Sequence, residues 1–316
     1  AGLWSCLLPF HSLWAVGQQT LDSYQVAFYG MRFNGVLMTL LINLFLFLIC
    51  WAGSARRLAS DSQSLWTKQQ LLAGAVVVFV LLGSHLWSAL GSYSSPSVAV
   101  GVCTIVAHAV LLVVATVASP ELYSFRLGLR RSMSGRSWTT ALLEERGQAQ
   151  PLVLTLGLAY CGLVLLIVAS RNGLASAWPP PLAPAAFLLP LLICGMTYCT
   201  VAQLCKLVAP ENGMKLHAGA LFVWTVVPLL AGTLLIAWHY SPLVEEAGRF
   251  VFFLSPLGAC INSFQESEPD AVRTPHFWGA VCLLAAVGGW LWVLLARYRR
   301  TLERRYATPA PVAAPL

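Results

Sequence analysis

Charged residues are scarce in this sequence. Of its 316 residues, 10% are charged and 58% are hydrophobic, whereas a soluble globular domain is about one quarter charged. We therefore expect an integral, multi-pass protein of the cell membrane. The formal net charge of +7 comes from short cationic clusters beside apolar runs and not from a long basic face. This charge indicates membrane topology and predicts no nucleic-acid partner.

Signatures of catalysis and of metal or cofactor binding are also missing. The sequence has no His-Glu-x-x-His, Gly-x-Ser-x-Gly or Gly-x-x-x-x-Gly-Lys-Ser/Thr motif, so we expect no catalytic residue, cofactor or enzyme activity. Its nine cysteines lack paired zinc or disulfide spacing. His85 and His108 lie in successive apolar runs at depths that differ by about 7 Å. This mismatch favours hydrogen bonding within a helix bundle over a shared metal or haem.

Acidic residues are absent from every long apolar run. All twelve Asp and Glu residues lie outside these runs, and one cation, Lys206, lies inside one. Lys206 is near the end of its run, so we expect its ammonium group to snorkel to water. Carboxylates within membrane spans usually serve proton relays or ion pathways. Their absence argues against transport driven by carboxylate protonation.

What the sequence does contain is apolar runs of about 20 residues, the length that crosses a bilayer as a helix. Seven such runs cover residues 33–53, 71–91, 97–119, 152–170, 185–209, 219–239 and 277–296. They do not alternate apolar with polar residues, as the strands of a membrane barrel do. The predicted fold is an all-α, polytopic transmembrane helix bundle with about seven spans. Two pairs of small residues four apart, Ser84 with Ser88 and Ala285 with Gly289, predict close helix contacts.

Basic residues are concentrated on alternate connections between the runs. Fifteen of the nineteen Lys and Arg residues fall on one side of the membrane by this count. Short loops that carry Lys and Arg stay in the cytoplasm. The pattern predicts that the N-terminus lies outside and the C-terminus inside.

Two apolar segments are too short to span. They cover residues 3–16 and residues 250–261, the second within the long outer connection 240–275. Each contains a helix-interrupting proline, Pro9 or Pro256, and segments of this length are typical of re-entrant or interfacial helices. Each also precedes a span that ends in basic residues. The recurrence indicates either tandem repeat units or coincidence.

The segment Leu254-Ser-Pro-Leu-Gly258, followed by a span from Phe277 that ends in basic residues, resembles the end of a type-2 ABC transporter permease. This is the integral membrane subunit of an ATP-binding cassette exporter. The segment around Pro9, followed by the span that ends at Arg56 and Arg57, resembles a second such ending. The resemblance implies an outer re-entrant segment plus one span in residues 1–53, as the end of a preceding permease unit. Residues 54–306 then form a six-span membrane domain, and residues 307–316 a flexible cytoplasmic tail. Because the chain begins at Ala1 without a cationic signal region, we expect a fragment or a processed chain.

We expect the lipid bilayer to surround the spans, and the resemblance also implies protein partners. A separate ATPase subunit would dock on the largest inner loop, residues 120–151, with Arg130, Arg131 and Glu144 as surface contacts. The permease itself would act as a homo- or heterodimer and form part of a substrate path. From the residues alone, two other classes stay open: a non-transport scaffold or sensor, and an intramembrane enzyme.

The topology can be tested with single cysteines introduced at Ser134 and Ser176. In intact cells we expect an impermeant thiol reagent to label the cysteine at Ser176 and to leave the one at Ser134 protected. The unaltered chain controls for the native cysteines. The reverse pattern would invert the topology.

Overall fold

A computed structural model describes residues 25–59, 66–90, 96–119, 149–170, 182–238, 241–258, 261 and 275–307. Its helices are α1 (Gly35–Ala59), α2 (Lys68–Ala89), α3 (Pro96–Ala118), α4 (Gln150–Ser170), α5 (Leu182–Val208), α6 (Gly213–Ala237), α7 (Pro242–Phe253) and α8 (Pro275–Ala307). Within these ranges, seven helices, all except α7, are long and apolar enough to cross a membrane. Each predicted run overlaps one of the seven. The prediction of an all-α polytopic bundle is confirmed.

Local side-chain chemistry explains where several helices begin. Thr67 and Gln70 form a reciprocal capping box at the start of α2, with N–O distances of 3.0 and 2.9 Å. Asn34 accepts hydrogen bonds from the backbone N–H groups of Val36 and Leu37 at the start of α1. Ser241 accepts the Val244 N–H, and Pro242 occupies the first turn of α7. These side chains satisfy N–H groups that a helix start leaves without intrahelical partners.

Helix α5 lies at the centre of the bundle. It packs against α3, α4, α6 and α8, and 67% of its most apolar segment is buried, against 6% for α6. The main core joins α2, α3, α4 and α5 through buried apolar side chains such as Leu86, Leu111, Leu156 and Leu191. Helices α1, α6 and α8 carry exposed Leu, Val, Phe and Trp side chains. In a bilayer, these apolar faces contact lipid.

A β-hairpin precedes α1 and was not predicted. Strands β1 (Gln25–Phe28) and β2 (Met31–Asn34) pair antiparallel, and both turn residues, Tyr29 and Gly30, have positive φ. Such a two-residue turn matches the twist of the strands. The Tyr29 N–H donates to Ser84 Oγ at 3.1 Å, and its hydroxyl donates to the Val80 carbonyl at 3.0 Å. Burial raises the pKa of the Tyr29 phenol.

Helix α8 continues well beyond its predicted end at residue 296. It has 33 residues, or about 50 Å at 1.5 Å per residue, which exceeds the hydrocarbon thickness of about 30 Å. Leu295 and Leu302 of α8 pack against Leu207 of α5, so the extension is held by the bundle. Of the predicted tail, Ala307 is the last helical residue and residues 308–316 lie outside the described ranges.

The close helix contacts differ from those predicted from small-residue spacing. A Cβ added at Gly289 would meet nothing within 4 Å, whereas one at Gly288 would lie 2.6 Å from Thr197 Oγ1. The α8–α5 crossing therefore depends on Gly288, and within the described chain Gly289 does not make the close helix contact that was predicted. Ser84 is fully buried, and its hydroxyl oxygen accepts a hydrogen bond from the Tyr29 N–H of the hairpin.

Helices α6 and α7 form the tightest pair, and they run antiparallel. A Cβ at Gly232 would lie 2.6 Å from the Phe252 nitrogen, and one at Gly248 would lie 2.9 Å from the Ile236 nitrogen. In both cases the obstacle is backbone, which cannot move aside as a side chain can. The absent side chains of these two glycines bring the helix axes together.

We predict that Gly232→Ala destabilises the protein, since the new methyl group must displace α7 and overpacking costs about 1–3 kcal/mol. Gly219→Ala is the matched control on the same helix, because a Cβ there meets nothing within 4 Å. Thermal unfolding in detergent, followed by tryptophan fluorescence, measures the difference. Equal midpoints for the two variants would show that α6 and α7 are not packed backbone to backbone.

Candidate functional site

Polar side chains that are at least nine-tenths buried gather at the helix ends that the charge pattern assigns to the cytoplasm. We call this set the inner polar cluster. Its members are Lys68 of α2, Ser119 after α3, Gln150 of α4, Gln203 and Lys206 of α5, His217 of α6 and Arg299 of α8. Buried polar groups require hydrogen-bond partners. Their bonds join the ends of helices that are distant in sequence.

Lys206 closes the end of α3. Its ammonium donates to the carbonyl oxygens of Thr116 and Ser119, both at 2.7 Å. The last carbonyls of a helix have no intrahelical partner and carry the negative end of its dipole, so a cation is a suitable cap. Lys206 is 8% exposed. The prediction that it snorkels to water is wrong, because α3 offers it acceptors inside the bundle.

His217 joins α6 to the same end of α3. Its Nε2 lies 3.0 Å from Thr116 Oγ1, and the Thr116 hydroxyl donates its one proton to the Leu112 carbonyl at 2.7 Å. His217 Nε2 is therefore the donor to Thr116. The neutral ring then carries its free lone pair on Nδ1, for which no partner exists among the described residues.

A second part of the cluster joins α4, α5 and α8. Gln150 Nε2 donates to Gln203 Oε1 at 3.0 Å, and the Arg299 guanidinium donates to the same oxygen. Gln203 is completely buried, and Gln150 is 2% exposed. Within the described chain, the opposite atoms of the two amides, Gln150 Oε1 and Gln203 Nε2, have no hydrogen-bond partner.

Two further polar contacts lie inside the bundle. The His108 Nδ1 atom is 3.2 Å from the Tyr198 hydroxyl, and the Tyr198 ring packs edge-on against Trp224 at 5.4 Å. Thr104 and Tyr160 approach within 3.4 Å. The prediction that His108 forms a hydrogen bond within the bundle is confirmed. His85 is half-buried on α2. In the ranges that the structure describes, no three His, Cys, Asp or Glu residues form a group able to hold a metal ion.

The short helix α7 enters the bundle from the predicted outer side. Gly248 lies beside Ile236, near the outer end of α6, and Phe252 lies beside Gly232. Beyond the helix end, Ser255 Oγ donates to the Thr225 carbonyl at 2.9 Å. Thr225 is twelve residues before the end of α6, or about 18 Å at 1.5 Å per residue. The tip that follows α7 therefore lies beside the middle of α6.

Neighbouring helices enclose this tip. Phe253 packs edge-on against Phe277 of α8 at 5.5 Å, and Ile193 of α5 borders the same apolar cluster. Ser255 is 2% exposed. A short outer helix was predicted around residues 250–261, but α7 begins earlier, at Pro242. Its polar first turns are stabilised by the Ser241 cap and by an Arg249–Glu245 ion pair of 3.0 Å.

The predicted ATPase-contact residues are not among those that the structure describes. Arg130, Arg131 and Glu144, and the short apolar segment 3–16, lie outside the described residues. Their predicted roles therefore stay predictions. The inner polar cluster itself was not predicted, although Lys206 alone signalled it, as a cation inside an apolar run.

The fold and the cluster define a polytopic helical membrane protein in which the short helix α7 packs against α6 and α8, and in which buried polar side chains are hydrogen-bonded at one end of the bundle. No protein-family model matches the chain, and no curated protein or solved structure is significantly similar to it.

We predict that Lys206→Met lowers the free energy of unfolding by about 1.5–3 kcal/mol, the magnitude of hydrogen bonds to a charged group. The change keeps the length of the side chain but removes both bonds to α3. Lys215→Met, at an exposed position of α6, is the control. Thermal unfolding gives the stability, and amide hydrogen exchange reports fraying at the end of α3. Indistinguishable behaviour of the two variants would contradict a capping role for Lys206.

Proposed function

We propose that this chain is a membrane permease subunit of an ATP-driven exporter, which forms part of a substrate path and is coupled to a separate ATPase. The proposal follows the sequence resemblance to type-2 ABC transporter permeases. The observation that carries it in the structure is the re-entrant helix α7.

A helix that stops within the membrane is unusual in a protein that serves only as an anchor. In hydrocarbon, non-helical backbone is tolerated where it is buried in protein or lines a water-filled cavity, and transporters place interrupted helices beside their substrate sites. The turn after α7 lies beside the middle of α6, against α8. This arrangement supports a path that runs along α6, α7 and α8.

The proposed energy source is inferred from two features that the sequence lacks. Its sequence has no phosphate-binding loop, and its candidate membrane spans contain no Asp or Glu. Coupling to an ion gradient usually uses such carboxylates. ATP hydrolysis by a separate subunit supplies the energy in this proposal.

The inner polar cluster provides a means of coupling. The proposed docking loop, residues 120–151, begins directly after Ser119, and its last two residues, Gln150 and Pro151, already belong to α4. Ser119 is bonded to Lys206, and Gln150 to Gln203, one turn apart on α5. A displacement of the loop is therefore transmitted to the central helix of the bundle through hydrogen bonds.

The test is copurification of the full-length protein from its native membrane, followed by an ATPase assay. We expect an ATPase subunit to copurify. The double variant Arg130→Glu/Arg131→Glu should weaken this association, since two exposed ion pairs contribute up to about 1 kcal/mol each. Arg297→Glu/Arg300→Glu is the matched control, because both arginines are exposed on α8.

A stable and active protein without any ATPase subunit would contradict the permease proposal and favour a scaffold, a sensor or an intramembrane enzyme. Equal loss of the ATPase in both double variants would show that net charge, and not the loop 120–151, governs the association.

A further inference from the structure

An apolar groove of about 350 Å³ lies between α4, α5 and α8. Leu154 of α4, Met196 and Thr200 of α5, and Gly289 and Trp292 of α8 are among the residues that line it. Its volume lies in the range of small-molecule sites, about 300–1,000 Å³. The Thr200 hydroxyl is bonded to the Met196 carbonyl of its own helix, so this threonine presents little unsatisfied polarity to the groove.

The geometry of α8 keeps the groove open. Gly288 already touches α5, since a Cβ there would lie 2.6 Å from Thr197 Oγ1. The two helices cannot approach further at this level. Gly289, the next residue, has open space where a side chain would be. Contact at Gly288 therefore sets the separation, and the absent side chain of Gly289 leaves the space.

The inner end of the groove continues into polar residues on the same three helix faces. Gln150 is four residues before Leu154, Gln203 three after Thr200, and Arg299 seven after Trp292. At these spacings, residues share one face of a helix. The buried, hydrogen-bonded residues Gln150, Gln203 and Arg299 thus lie one or two helical turns from the groove, toward the predicted cytoplasmic side.

Two cations lie near this end of the groove. Arg299 and Lys68 are both buried, and both lie close to Cys199, which is adjacent to Thr200 of the groove. Gln150 Oε1 and Gln203 Nε2 offer an acceptor and a donor without a partner in the described part of the chain. An apolar groove between spans with cations at its cytoplasmic end suits an amphiphile that has an anionic head.

We propose that this groove binds one acyl chain of an anionic phospholipid of the inner leaflet, with the phosphate at the end marked by Arg299 and Gln203. The site is independent of the proposed transport function, because it needs neither an ATPase nor a transported substrate. The lipid bound in this groove is held tightly, in contrast to the lipids that exchange freely around the bundle.

The test uses the full-length protein in detergent, stripped of lipid and titrated with phosphatidylglycerol or phosphatidylcholine. Native mass spectrometry measures the lipid retained on each chain. Gly289→Leu places a side chain in the groove, at a position where an added Cβ meets nothing within 4 Å. Gly162→Leu is the matched control, an exposed glycine of α4 that also has open space and does not line the groove.

We expect the unaltered protein and Gly162→Leu to retain one phosphatidylglycerol tightly and phosphatidylcholine weakly. Gly289→Leu should bind phosphatidylglycerol about tenfold to a hundredfold more weakly, the consequence of overpacking an occupied site. Gly289→Ala, which fills less of the space, should lie between.

Three results would overturn the proposal. Equal retention in Gly289→Leu and Gly162→Leu would place the lipid elsewhere. Equal affinity for the two lipids would remove the role of the cationic end. A change in oligomeric mass in Gly289→Leu alone would identify the occupant of the groove as a second copy of the chain.

Discussion

The structure depends on one constraint: inside a bilayer, every backbone polar group must find its partner within the protein. Most of the chain meets this constraint with continuous helices of apolar residues. Difficulties arise at helix ends, where the last carbonyls and the first N–H groups have no intrahelical partner. Lys206 addresses one such end by donating to two carbonyls of α3. It can do so because α5, at the centre of the bundle, passes the end of α3. The central position of α5 therefore explains why this cation is buried.

The lengths of the apolar runs were sufficient to predict the seven spanning helices, because a helix that crosses hydrocarbon must be long and apolar whatever it packs against. Their ends were less predictable. α8 continues to Ala307 because Leu295 and Leu302 pack against Leu207 of α5, a contact between residues about ninety positions apart. Neither this contact nor the docking of Tyr29 on Ser84 leaves a periodic signal in the sequence. The hairpin was missed for the same reason.

The candidate site was predictable only in part. Pro256 in a short apolar run indicated a segment that does not span, and the structure has a short helix that ends just before it. His108 was correctly predicted to bond within the bundle, although its partner Tyr198 could not be named. The hydrogen bonds from Gln150 and Arg299 to one oxygen of Gln203 depend on three helices meeting in space. In the sequence, these residues resemble ordinary polar residues at the ends of spans.

The turn after α7 meets the same constraint with few residues. The N–H groups of Leu254 and Ser255 donate to the carbonyls of Val251 and Phe252, at 3.1 and 3.2 Å. Two carbonyls at the helix end thereby have partners within the chain. A Cβ at Gly258 would collide with the Phe252 carbonyl oxygen, so only glycine permits this return of the chain. These backbone hydrogen bonds lie within the turn itself, which allows the turn to pack among apolar side chains beside the middle of α6.

The turn after α7 bonds to α6 at a place where α6 lacks one backbone hydrogen bond. Pro228 has no N–H to donate to the Trp224 carbonyl, and a proline inside a helix bends it there. The adjacent carbonyl, that of Thr225, accepts the Ser255 hydroxyl. The inner part of α6 is tied to α3 through His217, whereas the outer part is tied to α7 through Gly232. Pro228 lies between these two attachments, at a point where α6 lacks one backbone hydrogen bond. The Ser255 hydroxyl bonds to Thr225 on the inner side of Pro228, and Phe252 packs on Gly232 on its outer side, so the segment that contains α7 bridges the interruption in α6.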